Sequence, residues 1–156
     1  MAPKRMAIAA LALAGLFVAL YLTLYKVGAF GELRCAVGSC ETVNASRWAT
    51  FLGLPVAAWG MGFYVVTLVV ALVGTQPRFA DDVNFSRALV FLATTGVAFS
   101  GWLTYLEAYV IHAYCMWCLI SAAIVSVIFV ASVSDWWDFR GARAEGAAGE
   151  HDAVRA

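Results

Sequence analysis

Charge is scarce in this sequence. Of 156 residues only 13% are Asp, Glu, Lys or Arg, while 63% are hydrophobic, far from the usage of soluble globular domains. That balance excludes a water-soluble domain and makes the chain an integral membrane protein. Ten acidic and ten basic side chains cancel to a net charge of zero, so the footprint of a nucleic-acid or polyanion binder is missing. Internal repeats, functional low-complexity tracts and a second soluble domain are also missing. So are the signatures of the common redox groups: Cys118 is followed by Leu119 rather than histidine, which excludes a haem-attachment motif, and no glycine-rich strand-to-helix turn offers a flavin or dinucleotide site.

What is present is four apolar stretches, each close to the roughly 20 helical residues that cross a hydrocarbon core of about 30 Å. They run over about residues 6–25, 55–74, 88–110 and 115–133. Between Arg87 and Asp135 only Glu107 and His112 are ionisable apart from Tyr and Cys, so length places a tight turn at residues 111–114. The first stretch follows Lys4 and Arg5 but exceeds the roughly 7–15 residues of a signal-peptide core and lacks a small-residue cleavage site, so it is read as a retained span. The expected fold is thus all-α, a four-transmembrane-helix bundle with a long first loop, covering residues 1–134. Residues 135–156 mix charge with Ala and Gly and predict an anchor at Trp136, Trp137 and Phe139 followed by a disordered tail.

With four crossings, one side of the membrane holds Lys4, Arg5, Arg78, Arg87, Arg140, Arg143 and Arg155, and the other only Lys26, Arg34 and Arg47. The excess of basic residues puts both termini in the cytoplasm. All four cysteines, Cys35, Cys40, Cys115 and Cys118, then face the other side, expected to be the periplasm of a bacterial inner membrane. Cysteine as a mere small hydrophobe has no reason to collect at one face. Cys115-Met-Trp-Cys118 opens the fourth helix, where the spacing sets two sulfurs on one side of a first turn and the free amides favour thiolate. Cys35 and Cys40 lie in the first loop among Gly28, Gly31 and Gly38, so the loop is expected to bend and carry a sulfur toward the second pair. Two pairs facing an oxidising compartment suit thiol–disulfide exchange in series, with a lipid-soluble quinone as the acceptor that a helix bundle reaches unaided. A four-thiolate metal site and a scaffold with static disulfides are the alternatives; the first fits poorly with one pair opening a membrane helix.

From Cys35 to Ser121 the sequence resembles the vitamin K epoxide reductase family, specifically its bacterial quinone-linked members. The resemblance lies in Cys35 and Cys40, Ser46-Arg47-Trp48, the run Phe51-Leu52-Gly53-Leu54-Pro55 with Trp59-Gly60, and Cys115-Met116-Trp117-Cys118-Leu119. It implies a bundle around a quinone (ubiquinone or menaquinone), with Cys118 nearest the ring, Cys115 its exchange partner and the loop cysteines a shuttle. In the order it implies, Cys40 meets the outside partner and Cys35 passes electrons to Cys115. Ser46 and Trp48 would cap the quinone pocket; a helix N-cap and an interfacial belt residue are equally open readings of these two. The disulfide bond formation protein B family uses similar parts with the two pairs in the opposite order. Animal members of the first family carry a tyrosine where this chain has Ala122 and an asparagine in the second helix that this chain lacks, so epoxide reduction is not expected. Some bacterial members carry a fused thioredoxin-like domain; here the expected partner is a separate periplasmic thioredoxin-like thiol oxidase, which the protein would reoxidise. Glu107 and His112 are expected at the outer end of the third helix, solvated at the interface, with proton delivery to the quinone as the sharper role for such groups.

Overall fold

The computed structural model describes residues 2–29 and 31–155, with side chains described for 3–29 and 31–146. Four helices, α1 (Ala2–Lys26), α3 (Val56–Gly74), α4 (Val83–Leu106) and α5 (Met116–Arg155), are joined at one end by a compact loop. All four are long and apolar enough to cross a membrane, and the chain is a multi-pass all-α membrane protein. α1 packs on α3 and α5, and α4 packs chiefly on α5. Small residues set the closeness of these contacts. A side chain at Gly15 would collide with the Tyr64 ring, and one at Gly96 with Phe63 and Val125. Gly60 makes only an ordinary contact, and Gly62 and Gly101 face open space, so the close approaches are at Gly15 and Gly96.

Two helix ends differ from expectation for local reasons. α4 starts at Val83 rather than 88 because the Asp82 carboxylate accepts the Asn84 N–H at 2.9 Å and caps the first turn. At its far end the helix loosens into a π-helical segment, Glu107–Ile111, closed by His112 at φ +55°.

α5 continues past the expected end of the fourth span, through the residues of the expected anchor and tail, to Arg155. A charged residue that reads as the end of a span is in fact buried. Asp135 is fully enclosed, and its Oδ2 accepts from Arg5 Nε at 3.2 Å and Ser86 Oγ at 2.6 Å. Arg5 also donates to Ser86 Oγ at 3.0 Å and to the Gly74 carbonyl, so one guanidinium ties α1, α3, α4 and α5 together. Lys4 and Asp138 pair at 2.6 Å just outside. Removing one member of such a pair strands the other charge. Arg5→Met is expected to destabilise the bundle by about 3–5 kcal/mol, and Arg5→Met/Asp135→Leu to recover most of it, as read by thermal unfolding in detergent. Equal losses in both variants would mean that the ion pair itself supplies net stability.

The loop at the opposite end comprises α2 (Cys40–Ala45), a 3-10 turn (Arg47–Ala49) and a hairpin of β1 (Thr50–Phe51) and β2 (Leu54–Pro55). Leu52 and Gly53 turn that hairpin with positive φ at both positions, as a two-residue primed turn requires. Trp59 in α3 holds it by donating to the Phe51 carbonyl at 3.1 Å.

Candidate active site

The first loop is docked rather than free to swing. Trp117 Nε1 donates to the Arg34 carbonyl at 2.9 Å, and the Arg34 N–H reaches the Tyr21 hydroxyl at 3.3 Å. Gly38 forms an antiparallel bridge with Cys115, and Ser39 N–H donates to the Tyr114 carbonyl at 2.9 Å. Gly38 is required there. Its φ is +90°, and a Cβ would strike that same carbonyl.

This docking brings all four sulfurs into one apolar cluster. Cys40 and Cys115 are buried in it with Leu22, Leu33 and Val43, while Cys35 and Cys118 pack at its edges. Cys35 and Cys40 form a disulfide with Cα atoms 6.1 Å apart, and Cys115 and Cys118 are free thiols. Cys35 lines an outward groove with Glu32, Arg34, Glu41 and Trp117. Cys40 is 1% exposed. Cys40 is therefore the loop cysteine enclosed with Cys115, and Cys35 the one that lines the groove.

Cys115 sits just before the first turn of α5. Its thiol is held below the ordinary value chiefly by the hydrogen bond with the Cys118 side chain, assisted by the Cys118 and Trp117 amides, against burial and the negative charge of Glu107. Two neighbours were not recognised from sequence. Asn44, one helical turn after Cys40, bonds the Cys40 carbonyl at 2.9 Å and directs its amide at Cys115 Sγ at 3.9 Å; the only hint is the i, i+4 spacing. Tyr64, in the apolar run of α3, bonds the Ser121 hydroxyl at 2.8 Å.

Cys118 opens onto a cavity of about 320 Å³, at the lower end of the roughly 300–1,000 Å³ typical of small-molecule sites. Its walls include Trp48, Phe63 and Phe99, with Ser46 and Tyr64 among its polar groups and Glu107 as its one charged side chain. Both residues expected to cap the pocket thus line it. Ser46 is not a side-chain N-cap; its hydroxyl donates to the Val43 carbonyl at 2.7 Å. Glu107 departs from the expectation of interfacial solvation. It is 3% exposed, because the π-helical segment turns it inward, and its Oε2 accepts the Cys115 N–H at 3.0 Å. His112 stays exposed.

Over residues 6–133 the sequence matches the family model described as vitamin K epoxide reductase family. The chain belongs to that family. As a vitamin K epoxide reductase family protein it is a membrane oxidoreductase of the thiol–disulfide kind, and the matched region contains all four cysteines, the loop and the cavity.

Proposed function

We propose that this protein oxidises a thioredoxin-like dithiol protein outside the cytoplasm and passes the electrons through Cys35–Cys40 and then Cys115–Cys118 to a membrane quinone, sustaining disulfide formation in that compartment. One observation carries the reading: Cys40 and Cys115 share a sealed cluster, with Cys35 open to a surface groove on one side and Cys118 to the cavity on the other. The partner's thiolate attacks Cys35 Sγ and breaks the loop disulfide. Its second thiol resolves the mixed disulfide, and the partner leaves oxidised. Cys40 then attacks Cys115 in the Cys115–Cys118 disulfide and displaces the Cys118 thiolate. Cys35 closes back on Cys40, leaving the inner pair as two thiols. That pair re-forms its disulfide as two electrons and two protons pass to the acceptor.

A quinone, ubiquinone or menaquinone, supplies a two-electron, two-proton sink when bound. The cavity suits it: flat aromatic walls for a ring, with Ser46 and Tyr64 among the few polar groups of its lining. The seven-to-three split of basic residues supports cytoplasmic termini and a periplasmic cysteine end in a bacterial inner membrane. Under anaerobic conditions the purified protein, given a reduced thioredoxin-like donor and short-chain ubiquinone, is expected to form one quinol per donor disulfide. Quinol formation no faster than with donor alone overturns the reading.

A further inference from the structure

Oxidising Cys115 and Cys118 by a quinone breaks two S–H bonds and forms one S–S bond, while the electron pair goes to the acceptor and the two protons must reach its oxygens. Cys115 is buried and Cys118 opens onto the cavity, so a group beside them is needed to move the Cys115 proton to the cavity side. From the geometry we infer that Glu107 is the catalytic proton carrier of the inner pair, taking the proton of the Cys118 thiol and returning it on the cavity side. The inference rests on the quinone reading above.

Several features single out Glu107. It is buried at 3% exposure in a segment that crosses the membrane, where an ionisable side chain is costly and retained for a purpose. Among the described residues no cation lies within 4 Å of it; the two ion pairs, Lys4–Asp138 and Arg5–Asp135, are at the other end of the bundle. A structural carboxylate at this depth would ordinarily be paired. Its contacts are instead those of the reaction: the Cys115 N–H at 3.0 Å, and the same cavity wall that Cys118 occupies. The π-helical segment that places it is a distortion found often at functional sites. The other titratable groups facing it are few. Cys115 lies just before α5 and Cys118 in its first turn, Tyr64 comes from α3 across the cavity, and α2 presents only Cys40, held in its disulfide.

The sequence of events balances with no further reactant. Glu107, ionised, would accept the Cys118 proton and return it to an acceptor oxygen. Cys115, already inclined to ionise, would attack Cys118 Sγ as the thiolate, so that one S–S bond forms and a single electron pair leaves Cys118 for the acceptor. The Cys115 proton follows through the same carboxyl group to the second oxygen.

Glu107→Gln keeps an oxygen to accept the Cys115 N–H and removes the proton exchange. In the full-length protein with short-chain ubiquinone, kcat is expected to fall about a hundredfold or more with KM within about threefold. The Glu107-dependent limb of the pH–rate profile should vanish, while Cys40-to-Cys115 exchange on gels proceeds normally. A variant that turns over at the wild-type rate with an unchanged pH profile overturns the inference while leaving the quinone reading intact. Absence of quinone reduction by the wild type overturns both. Should the amide variant fail to fold, Glu107→Asp carries the test: the shorter arm predicts a lower kcat and a displaced pH limb, and an unaltered profile counts against the carrier.

Discussion

Cys118→Ala is expected to reduce quinone no faster than background, a loss of at least about a thousandfold, while the bundle stays folded. The thiol sits at the edge of the apolar cluster and wall of the cavity rather than in the helix-packing core, so its removal sacrifices little packing. The variant also reports on the relay. Three cysteines remain, and Cys115 has lost its exchange partner. Cys115 attacks the nearer loop sulfur, and the mixed disulfide cannot be resolved forward. Because Cys40 is the loop cysteine buried against Cys115, peptide mapping should find Cys40–Cys115 linked and Cys35 free. Loss of the Cys118 hydrogen bond that holds the Cys115 thiol below its ordinary value should also move the onset of this exchange to higher pH, since the thiolate is the attacking form. Unchanged turnover removes Cys118 from the path; a Cys35–Cys115 link restores the order implied by the family resemblance.

The loop variants divide just as sharply. Cys40→Ser leaves Cys35 at the groove as a lone thiol, which can form a mixed disulfide only by attacking the disulfide of an oxidised partner. Given an oxidised thioredoxin-like partner and acid quenching, it should show that covalent species on non-reducing gels. Cys35→Ser leaves Cys40, 1% exposed, and should trap no partner. Both variants should lose disulfide formation in cells, because each severs the series. A trapped partner in Cys35→Ser and none in Cys40→Ser would reverse the two roles. Full disulfide formation in both would take the loop pair off the pathway.

The spans were legible because the bilayer imposes a length on any helix that crosses it, and four apolar stretches satisfied it. The gathering of the cysteines at one end followed from counting crossings. What escaped were contacts between distant residues. Asp135 reads as the start of a polar tail because nothing near it in sequence compensates a charge; its partner, Arg5, is 130 residues away. Glu107 reads as solvated because it lies near a helix end, and only the π-helical segment, which has no clear signature in the run Glu107-Ala-Tyr-Val-Ile111, turns it inward. The five-residue separation of Cys35 and Cys40 identifies a pair but carries no information about which sulfur faces Cys115. That is decided by the bridge between Gly38 and Cys115, a contact that depends on a glycine at φ +90°.

The four sulfurs, Glu107 and the cavity they adjoin all lie toward the end of the bundle opposite the Arg5–Asp135 clamp. In the proposed reaction each electron pair hops between adjoining sulfurs, and each thiol proton goes to the acceptor that takes the electrons, so no net charge is displaced along the membrane normal. A transmembrane potential acts at about 2.3 kcal/mol per elementary charge per 100 mV, but only on charge that traverses the field. The protein would therefore neither build nor spend membrane voltage: its turnover is set by the difference in reduction potential between dithiol and quinone, and runs equally well in an energised or a de-energised membrane.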